Sequence, residues 1–245
     1  LCDIDDAEYL KFPPENIYHF MKNCSSCAVG SSALGEVAMQ MNKRVFTLTS
    51  PVIDHGLRKG RKNTVLTIGW IGFYNAHRSS LMELFYPALG KLPFDVALVI
   101  MGVTSEVHKA EIEQYFAPHP NVTLTIPEDI DWKNEHAVYS MVSTFDVGIS
   151  PLLDTEMNRA KSAYKLKQYM SCGVPVLGST LGENCSFLQH GINGFACNNS
   201  DDYVQHLSSI HEMSDDSYGA LSANALNTAT GFSMAVFCNT LLANT

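Results

Sequence analysis

From Val65 onward the sequence alternates between short, unbroken apolar runs and longer stretches of helical periodicity. The runs are VLTIGWIG, VALVIMG, VTLTI, DVGIS and VPVLG, and none has the in-and-out pattern of a half-exposed strand. A strand apolar on both faces must be covered on both faces, as central parallel strands are. Helix-period stretches fall between the runs at Arg78–Leu89, Ser105–Phe116, Glu135–Thr144 and Lys161–Cys172. This alternation predicts an α/β chain with a doubly wound, Rossmann-like parallel sheet and helices on both faces. Ligands of such sheets bind beyond the carboxyl ends of the strands, so the strand-to-helix turns are where chemistry is sought.

Residues 1–60 read differently. LCDID is strand-like, a helix is expected around Asn16–Cys24, a strand at Cys27–Val29, a helix near Ser32–Met41 and a strand at Val45–Leu48. We therefore expect a partial second α/β unit with its linker over 1–60 and a ligand-binding sheet over 61–225. Residues 226–245 should form a C-terminal helix that returns to the first unit. The chain starts at Leu1, and its opening reads as the tail of a unit that begins earlier. From about residue 200 the pattern is helical, with Ser200 and Ser214 as N-caps and Gly219 and Gly231 as breaks. The basic run Arg58, Lys59, Arg61 and Lys62 lies between glycine-containing turns and reads as a solvated linker rather than an anion site.

Composition narrows the function classes. With 16 Lys+Arg against 25 Asp+Glu the net charge is −9, which opposes nucleic-acid binding because that needs cations to displace counterions. A small anionic ligand is still allowed, since a few local cations suffice. No apolar run approaches the ~20 residues of a membrane-spanning helix, and the acidic opening residues are not an export signal. The seven cysteines lie in apolar contexts and read as reduced thiols, so a cytoplasmic location is expected. Cys24 and Cys27 have redox or half-zinc spacing, but no second pair or histidine pair completes a zinc motif.

Two segments carry candidate chemistry. The first strand-to-helix turn reads Gly69-Trp-Ile-Gly72-Phe-Tyr-Asn-Ala-His77-Arg78. Glycine lets a ligand approach the backbone, and Arg78 near the first helical turn could close on a phosphate. Two glycines three apart also satisfy a plain turn requirement. The dinucleotide fingerprint GxGxxG is absent, which argues against NAD and FAD. The second segment is NRAKSAYKLKQYMSCGVPVLGSTLG, residues 158–182. If it is one helix from Lys161, then Lys161, Lys165 and Gln168 share a face, and Lys167 lies about 200° from Lys165. Two stacked lysines near a helix N-terminus repel each other and oppose the dipole, a placement that makes sense around a polyanion. Asp3 and Asp5 point the same way on a strand, but no further acidic group completes a metal site, so no metal is expected. Ser-His-Asp, HExxH and Walker motifs are missing.

FDVGISPL, KSAYKLKQYMSCGVPVLGSTLGE and HGINGFACNN, in that order and spacing, resemble the carboxyl half of group 1 (family 4) glycosyltransferases, whose fold is GT-B. The resemblance runs from roughly Val65 to Leu207, and residues 1–60 resemble the end of the family's acceptor-side domain. It implies a sugar transferred with retention from a nucleotide-diphosphate sugar, without metal or other cofactor, as in polysaccharide biosynthesis. The acceptor would be a carbohydrate or a lipid-linked molecule, with room for a peripheral membrane contact through the part of the family's acceptor domain not seen here. The family's two glutamates, eight residues apart, correspond to Ala160 and Gln168. Gln168 would then hold ribose hydroxyls, and Lys165 with Lys161 would meet the diphosphate. Arg78 matches the family's cations only loosely, and Asp5 would stand where the family has a histidine, orienting the acceptor hydroxyl instead. Ala160 departs from the pattern, since it lacks the carboxylate that faces the donor sugar. Two other outcomes are compatible with this sequence. One is a binding protein without turnover, also the expectation for this segment on its own. The other is an epimerase of the same fold using Asp5, Asp6 or Glu183.

Overall fold

The computed structural model describes all 245 residues. The chain opens with β1 (Cys2–Ile4), α1 (Pro14–Asn23), β2 (Cys27–Val29), α2 (Ser32–Met39) and β3 (Val45–Thr47). After a linker come β4 (Leu66–Ile71), α3 (Tyr74–Ser80), α4 (Tyr86–Leu89), β5 (Val96–Met101), α5 (Glu106–Phe116) and β6 (Val122–Thr125). Then follow α6 (Glu135–Val142), β7 (Val147–Ser150), α7 (Glu156–Arg159), α8 (Tyr164–Ser171), β8 (Val176–Gly178), α9 (Asn184–Phe187) and β9 (Gly194–Ala196). Three helices close the chain: α10 (Ser200–Glu212), α11 (Asp215–Thr230) and α12 (Met234–Asn244).

All strand pairings are parallel. The small sheet has the order β1-β2-β3, and the large one β6-β5-β4-β7-β8-β9. The large order is that of a Rossmann sheet, in which the winding reverses between the first strand and the fourth. Here that reversal lies between β4 and β7. The apolar runs form the strands because both sheet faces are covered: Ile68, Leu98, Ile100, Val147 and Ile149 are completely buried. The chain is thus a doubly wound α/β fold with a second, smaller parallel sheet.

Where β4 and β7 part, their backbone groups lose each other, and Tyr169 fills the gap. Its hydroxyl accepts from Ile71 N at 3.0 Å and donates to Ile149 O at 3.3 Å. A Cβ on Gly148 would lie 2.3 Å from the Tyr169 ring, so glycine in β7 makes room for it. This fixes α8 over the sheet reversal.

Several local expectations change. The stretch Arg78–Leu89 is not one helix: α3 begins earlier, and a π-helical segment, Leu81–Phe85, separates it from α4. Pro87 supplies no N–H there, so the regular hydrogen-bond ladder cannot continue through it. Gly219 lies inside α11, and Asn199 rather than Ser200 caps α10 by accepting from Asp202 N. The short strand β9 has no counterpart among the apolar runs.

The basic run is solvated only in part: Arg58 and Arg61 are exposed, whereas Lys59 and Lys62 turn inward. Lys59, 7% exposed, pairs at 3.0 Å with Asp146, which is completely buried and also accepts from Asn63 N and Thr67 N. Lys62 donates to the carbonyls of Ile210, His211 and Met213 and so caps the end of α10. Arg58 pairs with Asp54 and Arg61 with Asp215. The run fastens the linker to the large sheet. Near the chain's end, Val52 N donates to Phe232 O, and Thr47, Leu48 and Thr49 share a groove with Val236, Phe237 and Thr240.

Candidate functional site

A cleft of about 260 Å³ opens at the carboxyl ends of β4 and β7, where the fold rule places ligands. Its large-unit wall includes Gly72, His77, Lys165 and Gln168, and the small unit contributes Asp5 and Asp6. Five of the six residues singled out from sequence, Asp5, Gly72, Lys161, Lys165 and Gln168, therefore come together here.

Gly72 is required by what lies above it. Its φ is +152°, and a Cβ would stand 2.6 Å from Lys165 Cε and 3.1 Å from the Trp70 ring. The stem of Lys165 crosses this gap and its Nζ comes within 5.7 Å of the Trp70 ring centroid. The ammonium donates to His77 Nε2 at 2.9 Å. Burial, reinforced by Lys161, pushes Lys165 down to about 7. Burial, with Lys165 second, pushes His77 down to about 3, so His77 stays neutral. No carboxylate forms a salt bridge with Lys165.

The helix carrying Lys165 starts abruptly. Ala163, with φ +56°, is the only non-glycine residue at positive φ, and no side chain caps α8. Strained backbone of this kind marks functional turns, and the first N–H groups of the helix are left for an external acceptor. Ser162, Ala163, Tyr164 and Lys165 all line the cleft. A lysine with a neutral neighbour beside an uncapped helix start is an arrangement that favours an anion.

Lys161 has a different setting from the one its spacing suggests. It precedes α8, and its Nζ lies 3.1 Å from Asp6 Oδ1. Asp6 also accepts from Lys11 at 2.9 Å. Burial pushes the Asp6 carboxyl up, yet the two lysines outweigh it and hold it below its ordinary value. Lys161 is thus a bridge between the units as well as a wall of the cleft. Asp5 is exposed and folds over Gly30, where a Cβ would lie 2.2 Å from its Oδ1.

Arg78 does not line the cleft. Its guanidinium is engaged by Glu111 of α5 through both Nε and Nη2, so the charge expected at a phosphate is held on the outer face of α3. Lys167 is not an exposed helix position either. It is fully buried, donating to Thr49 Oγ1 and to Ser50 O at 2.8 Å amid the rings of Tyr164, Phe187 and Phe232. Burial pushes it down to about 8. No group of three or more His, Cys, Asp or Glu side chains is placed to hold a metal ion.

Sequence reasoning passed over His77, adjacent to the arginine it favoured, and the contacts that join the units. Ser31 Oγ donates to Ala160 O at 2.9 Å, and Ser32 donates from N and Oγ to Glu183 Oε1 at 2.7 and 2.6 Å. Ala160, 1% exposed, packs with Ile4, Met21 and Leu34 of the small unit. The position without a carboxylate is therefore an apolar contact between units.

Solved structures share this architecture. A mutant of TarM from S. aureus, in complex with fondaparinux, α-GlcNAc-glycerol and UDP, superposes with a TM-score of 0.71 at 14% identity, covering 94% of this chain and 45% of that one. HepE of Anabaena, in complex with UDP-glucose, gives 0.71 at 13% identity, covering 98% and 70%. Sucrose-phosphate synthase of Thermosynechococcus elongatus gives 0.70 at 11%, covering 97% and 62%. This chain thus spans less than half the length of TarM. At these identities the likeness is one of fold. A sequence comparison with curated proteins gives no match. The family model described as "Glycosyl transferases group 1" matches residues 62–213. That match takes in the whole large sheet, and the chain belongs to the group 1 glycosyl transferases.

Proposed function

We propose that this chain carries the donor-binding half of a glycosyltransferase that uses a nucleotide-diphosphate sugar. The observation that carries the reading is Lys165, held over Gly72 at the sheet reversal beside the uncapped start of α8. As the sugar leaves, negative charge grows on the diphosphate oxygen, and a fixed cation with helix N–H groups stabilises that charge selectively. The diphosphate also draws a proton back to Lys165, because the anion favours its charged form. Gln168 is assigned to the ribose hydroxyls, since its amide both donates and accepts. Asp5, on the facing unit, is assigned to the acceptor hydroxyl.

In the transfer, the bond from the anomeric carbon to the diphosphate oxygen breaks and its electron pair stays with the diphosphate. A bond forms to the acceptor oxygen, whose proton passes to the leaving group. Retention, metal independence and a carbohydrate or lipid-linked acceptor follow from the family resemblance. UDP is the first nucleotide to try, because TarM and HepE are both described with it. No helix is long and apolar enough to cross a membrane.

Binding without transfer is a second reading, favoured by one observation. The buried Ala160 brings no carboxylate to the sugar side. A thermal-shift screen of UDP, GDP, ADP and their sugars tests both. A ligand at a hundred times its dissociation constant stabilises the fold by about 2.7 kcal/mol. Release of nucleoside diphosphate from the stabilising donor supports transfer chemistry. Stabilisation without release supports binding alone, and no stabilisation by any of them overturns the donor-site reading.

A further inference from the structure

Three thiols converge at the end of the small sheet away from the cleft. Cys24 ends α1, Cys27 begins β2, and Cys2 stands opposite Cys27 in the β1–β2 register. Cys24 Sγ and Cys27 Sγ are 3.5 Å apart. A disulfide needs ~2.0 Å, a change that rotation of the two side chains can supply. The loop between them is already anchored, because Asn42 Nδ2 donates to Met21 O at 2.8 Å and Cys24 O at 3.0 Å. Asn42 Nδ2 also reaches Cys24 Sγ at 3.5 Å.

The two sulfurs are not equivalent. Cys24 is partly exposed, whereas Cys27 is completely buried. Burial, then the hydrogen bond and charge of Cys24, pushes the Cys27 thiol up to about 12. Cys2 is likewise raised by burial and by Cys24. Within this cluster an oxidant in solution therefore meets Cys24 before Cys27; the chain's exposed thiols, Cys185 and Cys238, belong to α9 and α12.

We propose that Cys24 and Cys27 form a reversible dithiol–disulfide pair in which Cys24 is the attacking thiol. The oxidant is a low-molecular-weight disulfide. The Cys24 thiolate attacks one of its sulfurs, forms a mixed disulfide and expels one thiolate, which takes up the proton Cys24 lost. Cys24 then carries no charge, so its part in holding the Cys27 proton is gone and burial is the main influence left to oppose ionisation. Cys27 loses its proton and attacks Cys24 Sγ, expelling the second small thiol. Two electrons pass from the protein to the small disulfide, which leaves as two thiols.

The test uses the whole chain equilibrated with graded ratios of reduced to oxidised glutathione. Acid quenching, alkylation and peptide mass spectrometry then read every cysteine. The expected result is an internal Cys24–Cys27 bond that reverses with reduced glutathione, whereas the exposed Cys185 and Cys238 give only glutathione adducts. Cys27→Ser should accumulate the glutathione adduct at Cys24 at least ten-fold over the unsubstituted chain, and Cys24→Ser should leave Cys27 unmodified. Cys27→Ala serves if the serine variant fails to fold, and the unsubstituted chain tests the bond by itself. A Cys24 that stays alkylatable at every ratio overturns the proposal. So does a Cys2–Cys24 bond in place of the Cys24–Cys27 bond.

Discussion

Replacing Lys165 by methionine keeps an unbranched stem against Gly72 and Trp70 and removes only the charge. At pH 7 the ammonium, which titrates near 7, is charged in half of the free molecules. At pH 9 about one molecule in a hundred carries it. A diphosphate that requires the charged form should then bind roughly 50-fold more weakly at pH 9 than at pH 7, or about 2.3 kcal/mol. The sign follows from the direction of the shift. Burial lowers the free lysine, the anion raises it, and binding above pH 7 takes up a proton. Below pH 7 the gain is at most about twofold, and protonation of the ligand's own phosphate near ~6 reverses it. Loss of a charge-assisted hydrogen bond costs about 1.5–3 kcal/mol, so Lys165→Met should weaken UDP at pH 7 by roughly 10- to 150-fold. The two proteins should converge to within a few-fold at pH 9. Calorimetric titration from pH 6.5 to 9, in buffers of different ionisation enthalpy, reads both affinity and proton uptake. A wild-type affinity that stays flat across this range refutes the argument, as does a methionine variant that equals wild type at pH 7.

Other expectations follow from the same contacts. Asp146→Ala strands the buried Lys59 ammonium and two N–H groups, and should lower the urea-unfolding free energy by about 3–5 kcal/mol; a loss under 1 kcal/mol would contradict the buried network. Lys167→Ala should destabilise by roughly 2–4 kcal/mol through lost packing and hydrogen bonds, with Lys167→Met recovering most of it. Because Lys167 titrates near 8 when folded and higher when unfolded, its share of stability rises from about pH 8 to 10.5, a rise absent in the methionine variant. Gly72→Ala should displace Lys165 and weaken UDP at least ten-fold, whereas Gly56→Ala, with φ +73° and open space around it, should leave affinity unchanged. EDTA should alter UDP binding less than twofold; abolition by chelator with recovery on Mg²⁺ would point back to Asp3 and Asp5.

The fold was legible because burial on two faces writes itself into consecutive residues. Val96–Met101 and Val147–Ser150 read as parallel strands from their own composition. The strand β9 escaped because Gly194-Phe-Ala is too short to form an apolar run. The cleft was legible in part, since Gly72, Lys165 and Gln168 lie on the turn and helix that a parallel sheet brings to one end. Charge states were not legible. Arg78 is engaged by Glu111, Lys161 by Asp6 and Lys167 by Thr49, partners 33, 155 and 118 residues away. Periodicity reports which face a residue takes and carries no record of what another segment brings to that face. The αL turn at Ala163 was hidden for a related reason. Helical spacing continues through it, and alanine gives no local sign of positive φ.

Because every strand of the large sheet runs the same way, its two ends are chemically distinct. At the amino ends the charges are closed off, with Lys59 locked to Asp146 and Lys62 bound to the end of α10. At the carboxyl ends Lys165 bonds to a neutral imidazole and has no salt-bridge partner, and the helix start beside it lacks a cap. Mutational tolerance should be divided in the same way. Exchanging loops at the cleft rim should leave the Lys59–Asp146 end intact. For engineering, the cleft rim and thermal robustness should then be separable design variables, addressed from opposite poles of one sheet.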